Sequence, residues 1–297
     1  MIKYSAAVAR ALKDKSPVVA LESTIITHGL PRPKNLEVAL EVEQIVTDAG
    51  ATPATIAIID GQIHIGLEPD QLTQIANDEN ILKASIRDLA IISTQKKSAA
   101  TTVAATSHIA NMAGISLFAT GGLGGVHREA WQSWDESADL LALAKTPILI
   151  VCSGAKSILD VSATLERLET LSVPILGYKT NKFPGFYLTD SGFDLEHRAD
   201  TPQDIAQIWR ARSDVATNNS ALIVANPVGN QMDKALHDQI LFDGLAKAKT
   251  AGIIGKAVTP FLLEYFHSNS KGESLRVNVE IIKANAALAA QIAVALK

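Results

Sequence analysis

Short unbroken apolar runs, separated by stretches of helical periodicity, set the pattern of this chain. Runs at residues 17–21, 54–59, 90–93, 115–119, 147–152, 174–178 and 221–225 predict strands. Most are continuous rather than alternating, as strands covered on both faces are. Between them, periodicity predicts helices over 36–49, 102–113, 134–144, 157–171 and 232–250, and a long last helix over 275–296. Gly50 and Gly114 stand where helix C-caps belong. The alternation implies an α/β sheet layered by helices. In "IIDGQIHIGL", Asp60-Gly61 lies between two β-like runs and predicts a small antiparallel hairpin. Residues 179–220 are rich in polar and turn residues, yet no Pro/Gly/Ser linker divides the chain, so residues 1–297 read as a single domain.

Composition narrows the function classes. With 47% hydrophobic and 20% charged residues, the 297-residue chain can bury a sizeable core. A net charge of −4 disfavours duplex nucleic-acid binding and leaves any phosphate recognition local. The lone cysteine, Cys152, excludes an intrachain disulfide and fits a reducing compartment. The N-terminal stretch is amphipathic and basic without a signal-peptide core, and no segment offers the roughly 20 apolar residues of a membrane span. A soluble cytoplasmic protein with a small-molecule partner is expected.

Candidate chemistry collects where strands end. Glu22 directly follows the apolar run of "VALESTIITHG", at the edge where open α/β sheets gather ligands. It is either a half-buried general acid or a surface carboxylate paired with an arginine. "FATGGLGGVHR" puts Thr120 and four glycines after a strand, with His127 and Arg128 behind them. That suits an anion cradle or a flexible turn, and matches neither the dinucleotide fingerprint nor a P-loop. In "SWDESADL", Ser133 and Glu136 fit a capping box, while Asp135 and Asp139, four apart, would share a helix face as oxygen ligands for Mg²⁺ or Mn²⁺. Cys152 reads as a small core hydrophobe. Asn278 and Asn285, seven apart on the last helix, face either something polar or solvent.

"VCSGAKSILD" holds the least ordinary residue. Lys156 follows a core strand and three small residues, where the predicted helix starts. A cation opposes the helix dipole there. It is either an exposed structural lysine or a partly desolvated amine suited to imine formation.

Taken together, "ALESTIITHGLPRPKN", "ATPATIAIIDGQIHIGL", "LKASIRDL", "AATTVAAT", "FATGGLGGVHR", "SADL", "CSGAKSILD", "ANP" and "GKAVTPFLL" resemble the pseudouridine-5′-phosphate glycosidase (indigoidine synthase A-like) family from about Ser16 to the C-terminus. The resemblance implies a three-layer α/β/α sandwich with a mixed, mostly parallel sheet, assembled as a homotrimer. It implies reversible cleavage of the C–C glycosidic bond of pseudouridine 5′-phosphate to uracil and ribose 5-phosphate. Carried over, Lys156 is the Schiff-base nucleophile, Glu22 the proton donor, and Asp135 the ligand of Mn²⁺ or another divalent cation such as Mg²⁺, largely through waters. Lys83, Val103, Ser137, Ala138 and Asp139 take substrate-binding positions. Thr120 and His127 are phosphate or ribose contacts by the same analogy, and Asn285 a further one. Glu136 departs from the family pattern, which often has an apolar residue there. The alternatives are a lysine-dependent aldolase or N-glycosidase on another sugar phosphate, and a non-catalytic sugar-phosphate sensor, which has no need of an imine-forming lysine.

Overall fold

The structure, a computed structural model, describes residues 2–254 and 257–297; Gly255 and Lys256 of "GKAVTPFLL" lie outside the described residues. In chain order the elements are β1 (Ile2–Tyr4), α1 (Ala6–Lys13), β2 (Val18–Glu22), α2 (Lys34–Asp48), β3 (Thr52–Ile59), β4 (Gln62–Ile65), α3 (Pro69–Asn77), β5 (Leu82–Ala84), α4 (Leu89–Thr94), β6 (Ala99–Thr101) and α5 (Val103–Met112). Then come β7 (Leu117–Ala119), α6 (Ala130–Ser133), α7 (Ala138–Lys145), β8 (Leu149–Cys152), α8 (Val161–Thr170), β9 (Ile175–Tyr178), β10 (Arg198–Ala199) and α9 (Pro202–Asp214). β11 (Leu222–Ala225), α10 (Lys234–Thr250), α11 (Val258–Asn269) and α12 (Glu273–Ala295) complete the chain.

The strands form one mixed sheet in the order β1-β4-β3-β2-β7-β8-β11-β9-β10, with β5 and β6 attached beside β3. All pairings are parallel except β3 with β4 and β3 with β6. The first of these is the Asp60-Gly61 hairpin, whose two turn residues both take positive φ, as a type I′ turn requires. Gly50 and Gly114 also take positive φ, just past α2 and α5, where the pattern places helix caps.

The unbroken apolar runs are explained by burial on both faces. Val18, Ala20, Phe118, Ile150 and Ile223 pack against α1, α5, α7 and α8 on one side. Their neighbours Val19, Leu21, Leu117, Val151 and Val224 pack against α2, α9 and α12 on the other. This is the expected three-layer α/β/α arrangement. Cys152 belongs to the first of these clusters, and complete burial pushes its thiol up to about 12, so it packs as a hydrophobe. By length and composition α12 could cross a membrane, but its apolar face covers the sheet.

The structure corrects three expectations and adds one element. Residues 90–93 lie in α4, not in a strand; four apolar residues carry too little periodicity to separate the two forms. The predicted helix over 157–171 begins only at Val161, capped by the Asp160 side chain on the Ala163 N–H. Lys156 therefore sits in a turn before the helix, not in its first turn. The helix predicted over 134–144 begins at Ala138, with Ser137 as its cap. Ser133 does not cap it, and Asp135 does not share its face with Asp139, because Trp134 takes a left-handed conformation that ends α6 and leaves Asp135 before α7. Glu136 instead bonds the Arg167 guanidinium at 3.0 Å. Finally, the polar stretch 179–220 contains α9, started by a Thr201–Asp204 capping box.

Candidate active site

The site grows from the place where β2 stops. β2 pairs with β3 as far as Glu22 opposite Ile56, and beyond that point β6 pairs with β3 at Ala57 and Ile58. The Ser23 hydroxyl donates to the Ile56 carbonyl and accepts from the Thr101 N–H, locking the β2 end to β6. β5 lies beside β6 with Lys83 opposite Ala100, which delivers the lysine to the edge that carries Glu22. After Glu22 the chain forms a π-turn over Ile25–Gly29, a form frequent at functional sites.

A cleft of about 500 Å³ opens there, lined by Glu22, Thr24, His28, Lys83, Gly122, Lys156, Phe186 and Asn278 among others. Glu22 and Lys156, far apart in sequence, thus share one cavity. Glu22 is buried rather than a surface partner of an arginine. Its burial raises the carboxyl above the usual range, against the opposing pull of the Lys156 charge and a hydrogen bond donated by the Thr120 hydroxyl. Lys156 is half-buried, and its N–H donates to the Leu123 carbonyl at 3.2 Å. Gly154, two residues earlier, has φ +75 and sits so close to the Pro184 carbonyl that a Cβ would lie 1.9 Å from it. Only glycine lets the lysine turn reach this position.

The glycine loop is packed rather than flexible. A Cβ on Gly124 would meet the Ser137 Oγ at 2.3 Å, and one on Gly125 the Thr164 Oγ1 at 2.3 Å. The anion that this loop visibly cradles is the chain's own Asp139. One carboxylate oxygen accepts from the Gly124 N–H at 2.9 Å and the other from the Ala104 N–H at 3.0 Å, in the first turn of α5. Val103, one residue before, is buried. Ser137 accepts from the Asp139 N–H, and Ala138 is exposed at the start of α7.

Asp135 and His127 form a second cluster beside the first. The His127 N–H donates to the Asp135 carbonyl at 3.0 Å, and their side chains approach to 3.8 Å. Burial holds the imidazole below its usual value, with the Lys156 and Lys83 charges lowering it further and Asp135 opposing them. The charges of Lys83 and Lys156 therefore act on both Glu22 and His127. Among the described residues no group of three or more His, Cys, Asp or Glu side chains could hold a metal ion. Asp135 supplies one half-exposed carboxylate, a donor set that fits a hard cation held largely by water and not a protein cage.

Asn285 stands apart from the cleft, fully buried behind the strand ends, with its amide bonded to the Thr120 carbonyl at 2.8 Å. Several lining residues lie outside the site that the sequence suggests, His28, Asn278 and Phe186 among them. His28, held below its usual value first by burial and then by the Lys83 charge, had only its position after a strand to mark it. Asn278 was marked only by its polarity on an apolar helix. Phe186 had no local signal, since its N–H reaches the Ser153 carbonyl from a distant loop.

Residues 7–295 match the family model described as indigoidine synthase A like protein. A pseudouridine-5′-phosphate glycosidase of Salinispora tropica is 56% identical over 99% of this chain and 91% of its own length. One from Clostridium botulinum is 45% identical, with 99% and 97% covered. The solved prealnumycin C-glycosynthase AlnA, in complex with ribulose 5-phosphate, is similar with a TM-score of 0.92 and 34% identity, covering 100% of this chain and 97% of that one. An indigoidine synthase A-like protein of Thermotoga maritima gives a TM-score of 0.89 at 32% identity, with 99% and 96% covered. On sequence and fold alike, this chain belongs to the indigoidine synthase A-like family, among relatives named pseudouridine-5′-phosphate glycosidases.

Proposed function

We propose that the chain catalyses reversible cleavage of pseudouridine 5′-phosphate to uracil and ribose 5-phosphate, with Lys156 as nucleophile and Glu22 as acid. The observation that carries this reading is the cleft shared by a buried carboxyl, whose pKa burial raises, and a half-buried lysine at the carboxyl edge of the sheet. Names of relatives at 45–56% identity support the substrate, and AlnA supports sugar-phosphate chemistry on this fold.

The chemistry explains the pairing. The anomeric carbon is bonded to uracil C5, a poor leaving group as a carbanion, so the route of ordinary glycosidases through two carboxylates and water is closed. In our reading the Lys156 Nζ bonds C1′ while O4′ leaves and takes a proton from Glu22. The ammonium so formed on Nζ gives a proton to C5, the nitrogen lone pair then expels neutral uracil to leave an imine, and water hydrolyses the imine to ribose 5-phosphate and free lysine. Lys83 and His127 flank the cluster and suit the phosphate. Asp135 would hold Mn²⁺ or Mg²⁺ through waters, and the cation would add positive charge beside substrate oxygens. Assembly as a homotrimer is part of the same reading; the exposed Trp131 and Trp134 offer apolar surface to bury in it.

The test is uracil release from pseudouridine 5′-phosphate and from uridine 5′-phosphate, each with Mn²⁺ and with chelator. Release from the first alone, slowed by chelation, is expected. Equal release from uridine 5′-phosphate overturns the C-glycosidase reading, and binding without release makes the protein a sensor.

A further inference from the structure

The first residues beyond three parallel strands are tied together by one side-chain amide. Thr120 follows β7, Ser153 follows β8 and Asn226 follows β11. Asn285, on the sheet-facing side of α12, is fully buried among them. Its Nδ2 donates to the Thr120 carbonyl at 2.8 Å and lies 3.2 Å from the Ser153 Oγ and 3.4 Å from the Gly121 carbonyl. Its Oδ1 accepts from the Asn226 Nδ2 at 2.9 Å, and the Ser153 hydroxyl donates to the Asn226 carbonyl at 2.8 Å. The ring is closed, and the amide has no polar atom left for a ligand.

Two members of the ring, Thr120 and Ser153, also hold parts of the cleft. The Thr120 hydroxyl donates to Glu22. The Ser153 carbonyl accepts from the Phe186 N–H at 3.0 Å, and Ser153 opens the turn that ends in Lys156. We propose that Asn285 is a positioning residue that sets the spacing between Glu22 and Lys156, and not a substrate contact. The inference rests on the roles given to those two residues above.

The amide is needed for its asymmetry. Its NH₂ faces a carbonyl and a hydroxyl, and its oxygen faces a donor. A carboxylate of the same shape would set a lone pair against the Thr120 carbonyl, and buried polar groups without a partner are costly. The strand ends would then shift, and a misplacement of about 1 Å costs about 10²-fold in rate.

The experiment is steady-state uracil release by wild type, Asn285→Asp and Ser153→Ala, with borohydride trapping of ribose 5-phosphate alongside. For Asn285→Asp, kcat is expected to fall about 10²-fold with KM within about twofold. For Ser153→Ala, which loses the hydroxyl's bonds to the Asn226 carbonyl and to the Asn285 amide, about five- to tenfold is expected. It stands alone as the test if the aspartate variant does not fold. A rise in KM at constant kcat would make Asn285 a substrate contact, and two variants with wild-type kcat would reduce it to filling space; either overturns the proposal. A wild-type enzyme that neither releases uracil nor traps the sugar would overturn the site assignment itself, and the positioning role with it.

Discussion

Replacing Asp139 with asparagine tests how the glycine loop is held. The carboxylate is buried at the start of α7 and accepts two backbone N–H groups, from Gly124 at 2.9 Å and Ala104 at 3.0 Å. Asparagine keeps the shape and one acceptor but turns an NH₂ toward the other N–H. Leaving that buried donor unmet costs about 1–3 kcal/mol. Removing a negative charge from the N-termini of α5 and α7 adds about 0.3–1 kcal/mol at each. The sum is about 2–5 kcal/mol, which at roughly 1.6 °C per kcal/mol for a 297-residue chain lowers the melting temperature by about 3–8 °C. Calorimetry of Asp139→Asn against wild type reads it directly. An unchanged melting temperature would refute the structural role, and a raised KM at full stability would make Asp139 a substrate contact first.

Two further outcomes concern Glu22. Because burial raises its folded-state pKa, the folded protein binds this proton more tightly than the unfolded chain does, and stability falls as pH rises above the ordinary carboxylate range. Glu22→Gln should therefore melt higher than wild type at neutral pH and lose that advantage in acid; a variant less stable than wild type at neutral pH would contradict the burial argument. Thr120→Val removes the hydroxyl that stabilises the ionised carboxyl. Since the acid works protonated, the alkaline limb of kcat/KM should move to higher pH, and a shift to lower pH would refute the pairing.

The sheet was legible because its strands are buried on both faces, and continuous runs such as Val18–Glu22 and Leu222–Ala225 mark that directly. Short outlying elements were not: β1, β5 and β6 have three residues each and no apolar run around them to mark a strand. Two helix starts differ from the sequence reading: Ser137 and not Ser133 caps α7, and the helix placed from residue 157 is capped by Asp160 and begins at Val161. The backbone decides both starts, through the left-handed Trp134 in one case and the turn that carries Lys156 in the other. Glu22, Lys83 and Lys156 stood out through motifs. The contributions of Phe186, Asn278 and the Asn285 ring depend on contacts between segments far apart in sequence. The puzzle of a cation at a helix N-terminus dissolves, since the helix begins five residues after Lys156.

Whether Lys156 forms the covalent link to the sugar is answered most directly by trapping. Wild type is incubated with ribose 5-phosphate, reduced with borohydride, digested and mapped by mass spectrometry. A single sugar-phosphate adduct on the Lys156 peptide, abolished in Lys156→Ala, is the predicted result. An adduct on Lys83, or one that persists in the alanine variant, would contradict it.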